Sequence, residues 1–330
     1  MNFRTEINDA APLHLADMIG QASVMAQVAV AIDAAHADDK KCDHALLVGS
    51  PGLGKSQTAR VIAAEMGTEL HEVLGQSITG PADLNALLLA AKDRDLIHID
   101  EAHELEKEFQ TALYLAMDQR KVILQTRAKT APQGIPLNDF SLLLSTTDEF
   151  CLLQPLRDRM RLVLRFQFYT VEELTTVLSQ RSQALGWPVE EDLLPLIAKR
   201  ARGTPRLALR LMQACRRVSR ANGQFCLTLD HFRRACELEQ IDQIGLGPNE
   251  QGYLAILAEA PCRLNVLAAR LGLPARTVSQ VVEPFLIRSG LIIKDDGGRR
   301  ELTAKGHEHL TQNRPPRSTK CENSCKRKPL

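Results

Sequence analysis

The chain has 330 residues, enough for two or three domains, and its 44% hydrophobic content can fill real cores. A net charge of +1 excludes a global basic field, and 4% aromatic content excludes a base-stacking platform as the dominant surface. No apolar run approaches the roughly 18 residues of a membrane span. Met1–Ala16 mixes Arg4, Glu6 and Asp9 without an apolar centre, so neither a secretory signal nor a membrane partner is expected, and the cytoplasm is.

In chain order, the first strong element is His44–Val48, a short apolar run typical of a buried parallel strand. It leads into Gly49-Ser50-Pro51-Gly52-Leu53-Gly54-Lys55-Ser56, which fits the phosphate-cradling pattern G-x-x-x-x-G-K-[ST] at every fixed position. Glycines let successive N–H groups turn toward a polyphosphate without a clashing Cβ. Lys55 supplies a cation, and the Ser56 hydroxyl can ligate Mg²⁺. Lys55–Met66 has helical spacing, so the loop opens a helix whose N-terminus favours anions.

Asp95–Ile99 predicts a second buried strand, ending in Asp100 and Glu101. Downstream of a phosphate loop, such a pair is expected to hold the metal with Ser56 (Asp100) and to polarise the attacking water (Glu101). His98 reads as a packed histidine and His103 as part of a helix start. Up to about Phe168 apolar strands alternate with helices, so an α/β domain with a parallel sheet covered on both faces is expected over residues 1–168.

Residues 169–245 read as helical, around Val171–Leu174, Leu193–Ile197, Leu207–Met212 and His231–Leu238. Gly245-Leu246-Gly247-Pro248 is a turn-rich linker. Residues 246–312 read helix, helix, helix, hairpin. The helices centre on Tyr253–Leu257, Val266–Leu271 (ending at Gly272) and Thr277–Ser289, the last kinked or reset by Pro284. Asp295-Asp296-Gly297-Gly298 marks the hairpin turn between Leu291–Lys294 and Arg299–Leu302. This order is that of a winged helix. Residues 313–330 form a basic tail expected to be disordered. The eight cysteines are scattered, and Cys321-x-x-x-Cys325 lies in that tail, so no metal role is expected for them.

At Asp17–Gln21, Pro51–Lys55, Ile99–His103, Ser145–Thr147, Pro155–Arg159, Gly203–Arg206 and Val282–Ile287, the chain resembles RuvB, a family of hexameric AAA+ motors of Holliday-junction branch migration. The resemblance covers roughly Leu15–Leu310. It implies an AAA+ P-loop core, a helical lid and a C-terminal winged helix, and an ATP hydrolase that moves four-way DNA junctions as a homohexamer with ATP and Mg²⁺. ATP contacts are expected from Gly49, Pro51, Gly52, Leu53, Gly54, Lys55, Ser56, Gln57 and Asp100. Catalytic roles are implied for Glu101; for Thr146 (with Thr147 beside it) as a γ-phosphate sensor; for Arg159 (Arg157 as runner-up) as a finger reaching the neighbouring subunit; and for Arg206 as a lid contact to the phosphates. Lys121–Pro136 corresponds to a hairpin that docks on the partner RuvA, and Lys294, Arg299 and Arg300 would meet DNA phosphates along the wing.

The chain departs from the family pattern at Ala11-Pro12-Leu13, at Asp148, at Met160-Arg161 and in the acidic wing residues Asp295 and Asp296. Two other readings pair the same core with different work: a nucleotide-switched DNA-binding initiator, and a regulator acting only on proteins.

Overall fold

The computed structural model describes residues 7–124 and 133–312. The expected basic tail with Cys321 and Cys325, and the middle of the 121–136 hairpin, lie outside them. Two compact units divide after Phe232, and each is described by itself.

The first unit starts with α1 (Ala22–Ala37), β1 (Ala45–Val48), α2 (Lys55–Met66), β2 (Leu70–Leu74), α3 (Pro81–Ala90) and β3 (Leu96–Asp100). Then come α4 (Lys107–Gln119), β4 (Lys121–Leu124), β5 (Gln133–Pro136), β6 (Ser141–Thr146), α5 (Gln154–Arg157) and β7 (Leu162–Arg165). Strands β2-β3-β6-β1-β7 form one parallel sheet in that order. Its central strands are the most apolar: β3 and β6 bury Leu96, Ile97, Ile99 and Leu142–Leu144, as strands covered on both faces must. The edge strand β2 is only half-buried. A parallel order brings every strand's carboxyl end to one rim, and the crossover loops there carry the chemistry. Strands β4 and β5 pair antiparallel as a separate hairpin base, Lys121 opposite Pro136.

Helices α6 (Val171–Ala184), α7 (Leu193–Arg200) and α8 (Pro205–Ala221) follow. Thr170 and Glu173 close a capping box that starts α6. These lid helices belong to the same compact unit as the sheet. The Tyr169 hydroxyl donates to Leu53 O (3.3 Å), Gln180 to Asp17 O (2.9 Å) and the buried Arg181 to Ile7 O (2.9 Å). Helix α9 (Leu229–Leu238) spans the division.

The second unit contains α10 (Pro248–Glu259), β8 (Cys262–Arg263), α11 (Leu264–Leu271), α12 (Ala275–Thr277), α13 (Glu283–Arg288), β9 (Ile292–Lys294), β10 (Arg299–Leu302) and α14 (Ala304–Gln312). Its sheet order is β8-β10-β9, packed on a core of Tyr253, Leu254, Leu267, Val278, Leu286 and Leu291. Strand β8 and helix α14 had no sequence signal strong enough to expect them. The expected third helix is divided: α12 passes through a π-helical stretch, Val278–Val282, into α13. Pro284 explains this, because it lacks an N–H and its ring crowds the carbonyl four residues back, so the backbone widens ahead of it.

Candidate nucleotide site and wing surface

Lys55 opens α2 from a loop in which Gly52 (φ 81°) and Gly54 (φ 100°) occupy the left-handed region. Space also demands glycine at position 52, where a Cβ would lie 2.8 Å from the Cβ of Arg206. Lys55 is no exposed loop residue. It is 6% exposed, and its ammonium donates to Gly49 O (2.7 Å) and Ser50 O (3.1 Å). Burial pushes its pKa below the ordinary value, while Glu101 and Asp100 pull the other way. A cation held so on the loop carbonyls is placed for an anion lying over the loop.

The Ser56 hydroxyl donates to Asp100 Oδ2 at 2.8 Å. The two residues expected to share a metal therefore lie side by side, and oxygen is the ligand type that Mg²⁺ takes. Glu101 follows at φ 50°, ψ 48°, left-handed for a non-glycine, and its N–H donates to Asp100 Oδ1 (2.9 Å). Gly75 supports this turn: any Cβ there would lie 2.6 Å from Glu101 O. Sequence reading passed over Gly75, since nothing local marks it.

His103 lies in the 3₁₀ turn Ala102–Glu104, 3.5 Å from Glu101 Oε2 and 3.2 Å from the Thr146 hydroxyl. It bridges the carboxylate to the end of β6. Thr146 is fully buried, and its hydroxyl also accepts from Asp148 N and reaches Asp148 O, both at 3.0 Å. Thr147 is exposed. Asp148, one of the departures, works structurally. Its carboxylate accepts from Phe150 N (3.0 Å) and caps the turn Glu149–Cys151. His98 is packed as expected, bonded to Glu72 (3.2 Å) and Ser145 (2.8 Å).

Of these groups, Lys55, Ser56, Asp100 and Glu101 line a cleft of about 270 Å³. Lys55, Ser56, Asp100, Glu101 and Arg206 supply charged and polar lining, and Pro12, Met18, Ile19, Val177 and Leu209 apolar lining. Arg206 heads α8, and its N–H reaches Gly52 O (3.4 Å), so lid and loop meet at this cleft. Pro51 and Gly54 line the same space, whereas the Leu53 side chain is buried beneath the loop. Gln57 lines the cleft too, and its side chain is tied to the cleft wall. The Gln57 side chain donates to Pro12 O at 2.6 Å, so it anchors the N-terminal segment at the cleft wall.

Arg159 lies away from this cleft, following α5. Its guanidinium bonds Asp118 through Nε (2.7 Å) and Nη2, reaches Pro155 O through Nη1, and lies over the Tyr114 ring, 4.8 Å from its centroid. Arg157 instead stacks on Phe150, 5.3 Å from the ring centre. Met160, another departure, is buried in the sheet's core, and Arg161 pairs with Asp43 (3.1 Å).

In the second unit the wing overturns one expectation. Arg300 is only 9% exposed and turns inward: Nε meets Glu283 Oε1 at 2.8 Å, Nη2 meets Oε2 at 3.2 Å, and Nη1 donates to Gly298 O. The Tyr253 hydroxyl donates to the same carboxylate (2.8 Å), and Lys294 Nζ lies 3.2 Å from it. Burial alone would raise Glu283; the bonds from Arg300, Tyr253 and Lys294 override it and hold the carboxyl below its usual value. A buried carboxylate has to find cations, so it draws two of the three expected DNA contacts to itself. Arg299 stays exposed, and its strand partner is the exposed Arg263, a second outward arginine that sequence reading missed. Asp295 is a turn former: its carboxylate accepts from Arg299 N (2.6 Å).

A phosphate loop opening α2, carboxylates ending β3 and a helical lid closing on the loop define a P-loop ATPase of the AAA+ class. The description "Holliday junction DNA helicase RuvB P-loop domain" matches residues 10–166. "RuvB AAA lid domain" matches 169–242, and "RuvB C-terminal winged helix domain" matches 243–311. Proteins named Holliday junction branch migration complex subunit RuvB from Fervidobacterium nodosum and Kosmotoga olearia are both 34% identical. They cover 92% and 91% of this chain, and in each case 89% of the relative. A solved Thermotoga maritima structure, described as a RuvB Holliday junction branch migration motor, superposes with a TM-score of 0.80 at 32% identity, over 93% of this chain and 99% of that one. The chain belongs to the RuvB family.

Among the described residues, no helix is long and apolar enough to cross a membrane.

Proposed function

We propose that this chain is the ATP-driven motor subunit that moves four-way DNA junctions, acting as a homohexamer. One observation carries most weight: the 2.8 Å Ser56–Asp100 bond, with Lys55 and Glu101 lining the same cleft, supports a hydrolytic reading. Lys55 and the loop N–H groups bind the phosphates. Ser56 and Asp100 would hold Mg²⁺, which would supply charge neutralisation for the phosphoryl oxygens. Glu101 orients the attacking water and polarises it. Thr146 senses the terminal phosphate, with His103 as its link to Glu101. Arg206 contacts the phosphates from the lid of its own subunit, and Arg159 contacts those of the neighbour.

The working division is core 1–168, lid 169–245, wing 246–312 and tail 313–330. The wing meets DNA phosphates without reading sequence, through Arg299 and in part Lys294. The 121–136 hairpin receives a RuvA-like junction-binding protein, and the cytoplasm is the compartment that fits this work. The inward turn of Arg300 gives the reading as a regulator acting only on proteins its one point of support. The deciding experiment incubates the full chain with ATP, Mg²⁺, a RuvA protein and a labelled synthetic four-way junction. Junction resolution into duplex arms that depends on ATP and on Glu101 supports the motor. ATP-dependent DNA binding with no resolution supports the initiator, and no DNA response supports the protein regulator.

A further inference from the structure

The seat that holds Arg159 is built from one face of one helix. Tyr114 and Asp118 lie four residues apart on α4, so both side chains project to the same side. Asp118 grips the guanidinium edge through Nε and Nη2, and Tyr114 supplies a flat ring beneath its plane. Pro155 O, on the same short segment as Arg159, accepts from Nη1. A guanidinium has five N–H donors in a rigid fork. Three are used in the seat, which leaves one donor on each Nη. The arginine side chain remains 30% exposed, beside an open cleft of about 590 Å³ that also borders Lys41, Arg120 and Arg161.

We propose that Asp118, with Tyr114 beneath, is a positioning residue for Arg159: it fixes the guanidinium so that its two remaining donors are presented to a phosphate oxygen outside this subunit. This rests on the reading of Arg159 as a finger acting in trans. The physical case is entropic. An unrestrained arginine has to order several rotors on each encounter with the transition state. A seated one has them ordered already, and misplacing a catalytic group by about 1 Å can cost about 10²-fold in rate. The seat engages the edge of the fork and leaves its outer donors, which is the arrangement of a holder.

The test measures steady-state ATPase of the full chain with Asp118→Ala, Asp118→Glu, Tyr114→Ala and Tyr114→Phe. Asp118→Ala should lower kcat by about 10- to 100-fold with KM for ATP little changed. Asp118→Glu should recover part of that loss, and Tyr114→Phe should match the parent where Tyr114→Ala does not. Should Asp118→Ala fail to assemble, Asp118→Asn keeps its shape and gives the same readout. Mixing separates positioning from general damage. Asp118→Ala subunits mixed with Glu101→Gln subunits should regain activity, because some interfaces combine an intact finger side with an intact water side. Asp118→Ala mixed with Arg159→Ala should regain none, because both lesions lie on the finger side. If Arg159→Ala recovers with Glu101→Gln while Asp118→Ala turns over like the parent, or faster, the positioning inference is overturned and the finger reading stands. If Arg159→Ala fails to recover in verified mixed rings, the finger reading falls and takes this inference with it.

Discussion

The hydroxyl of Ser56 donates to Asp100 Oδ2 at 2.8 Å across a gap of 44 residues. Ser56 lies in the helix that follows β1 and Asp100 ends β3, and these strands are not neighbours, since β6 lies between them. Parallel strands end on a common rim, so a serine opening one crossover helix and an aspartate ending another strand can converge there. This convergence puts a carboxylate against the phosphate loop.

Lys55→Ala should abolish ATP turnover and also weaken the apo fold. Two loop carbonyls lose a buried donor, which costs about 1–3 kcal/mol. A non-hydrolysable ATP analogue at 100 times its Kd should stabilise the parent by about 2.7 kcal/mol and leave the variant's melting temperature unmoved. Hydrolysis by the variant at the parental rate would remove Lys55 from the site.

Arg159→Ala should bind ATP nearly normally and hydrolyse it poorly, since trans fingers are worth about 10³–10⁵ in rate. Nucleotide titration checks the first half and steady-state turnover the second. Loss of ATP affinity equal to the loss of rate would place Arg159 in ground-state binding instead.

Arg299 and Arg300 should separate cleanly. Arg299→Ala should flatten log K against log[salt] for duplex DNA by about 0.9 with no change in melting. Arg300→Ala should destabilise the winged unit by about 3–5 kcal/mol, toward the lower end because Lys294 still faces Glu283. An Arg300→Ala protein that melts normally and loses one unit of salt slope would mean that Arg300 faces DNA.

His44 should make the first unit acid-sensitive. Burial, helped by the charges of Lys41, Arg161 and Arg120, drives its pKa from 6.5 to about 3. Its Nδ1 accepts from Leu142 N (2.8 Å) and cannot do so when protonated. Between about pH 6.5 and 3 the unfolded chain binds a proton that the folded chain refuses, so stability falls as pH drops through that window. His44→Asn offers an acceptor without that titration, so the urea midpoint should vary less between pH 7 and pH 4. An unchanged slope would assign the acid sensitivity to other groups, such as the buried His98.

Local patterns carried much of the fold. The phosphate loop is contiguous, so its glycines, Lys55 and Ser56 were legible together. Asp100 and Glu101 were legible because an apolar run ends in them. The helices of residues 169–245 and the Asp295–Gly298 turn also announced themselves through spacing. Pro284 signalled an interruption, and a proline's missing N–H acts on its own helix wherever that helix lies.

Interactions between distant segments were not legible. Glu283 and Arg300 are 17 residues apart, and nothing in either neighbourhood says that one will neutralise the other. The bond from Gln57 to Pro12, 45 residues away, had no local sign, and Asp118 gave no signal until Arg159 folded onto α4. The sequence by itself determined the strand–loop–helix chemistry, because period, glycine freedom and carboxylate placement act over a few residues. Only the tertiary structure decided which charges remain free to act, because burial forces each buried charge to take a partner, and that partner is chosen by packing rather than by position in the chain.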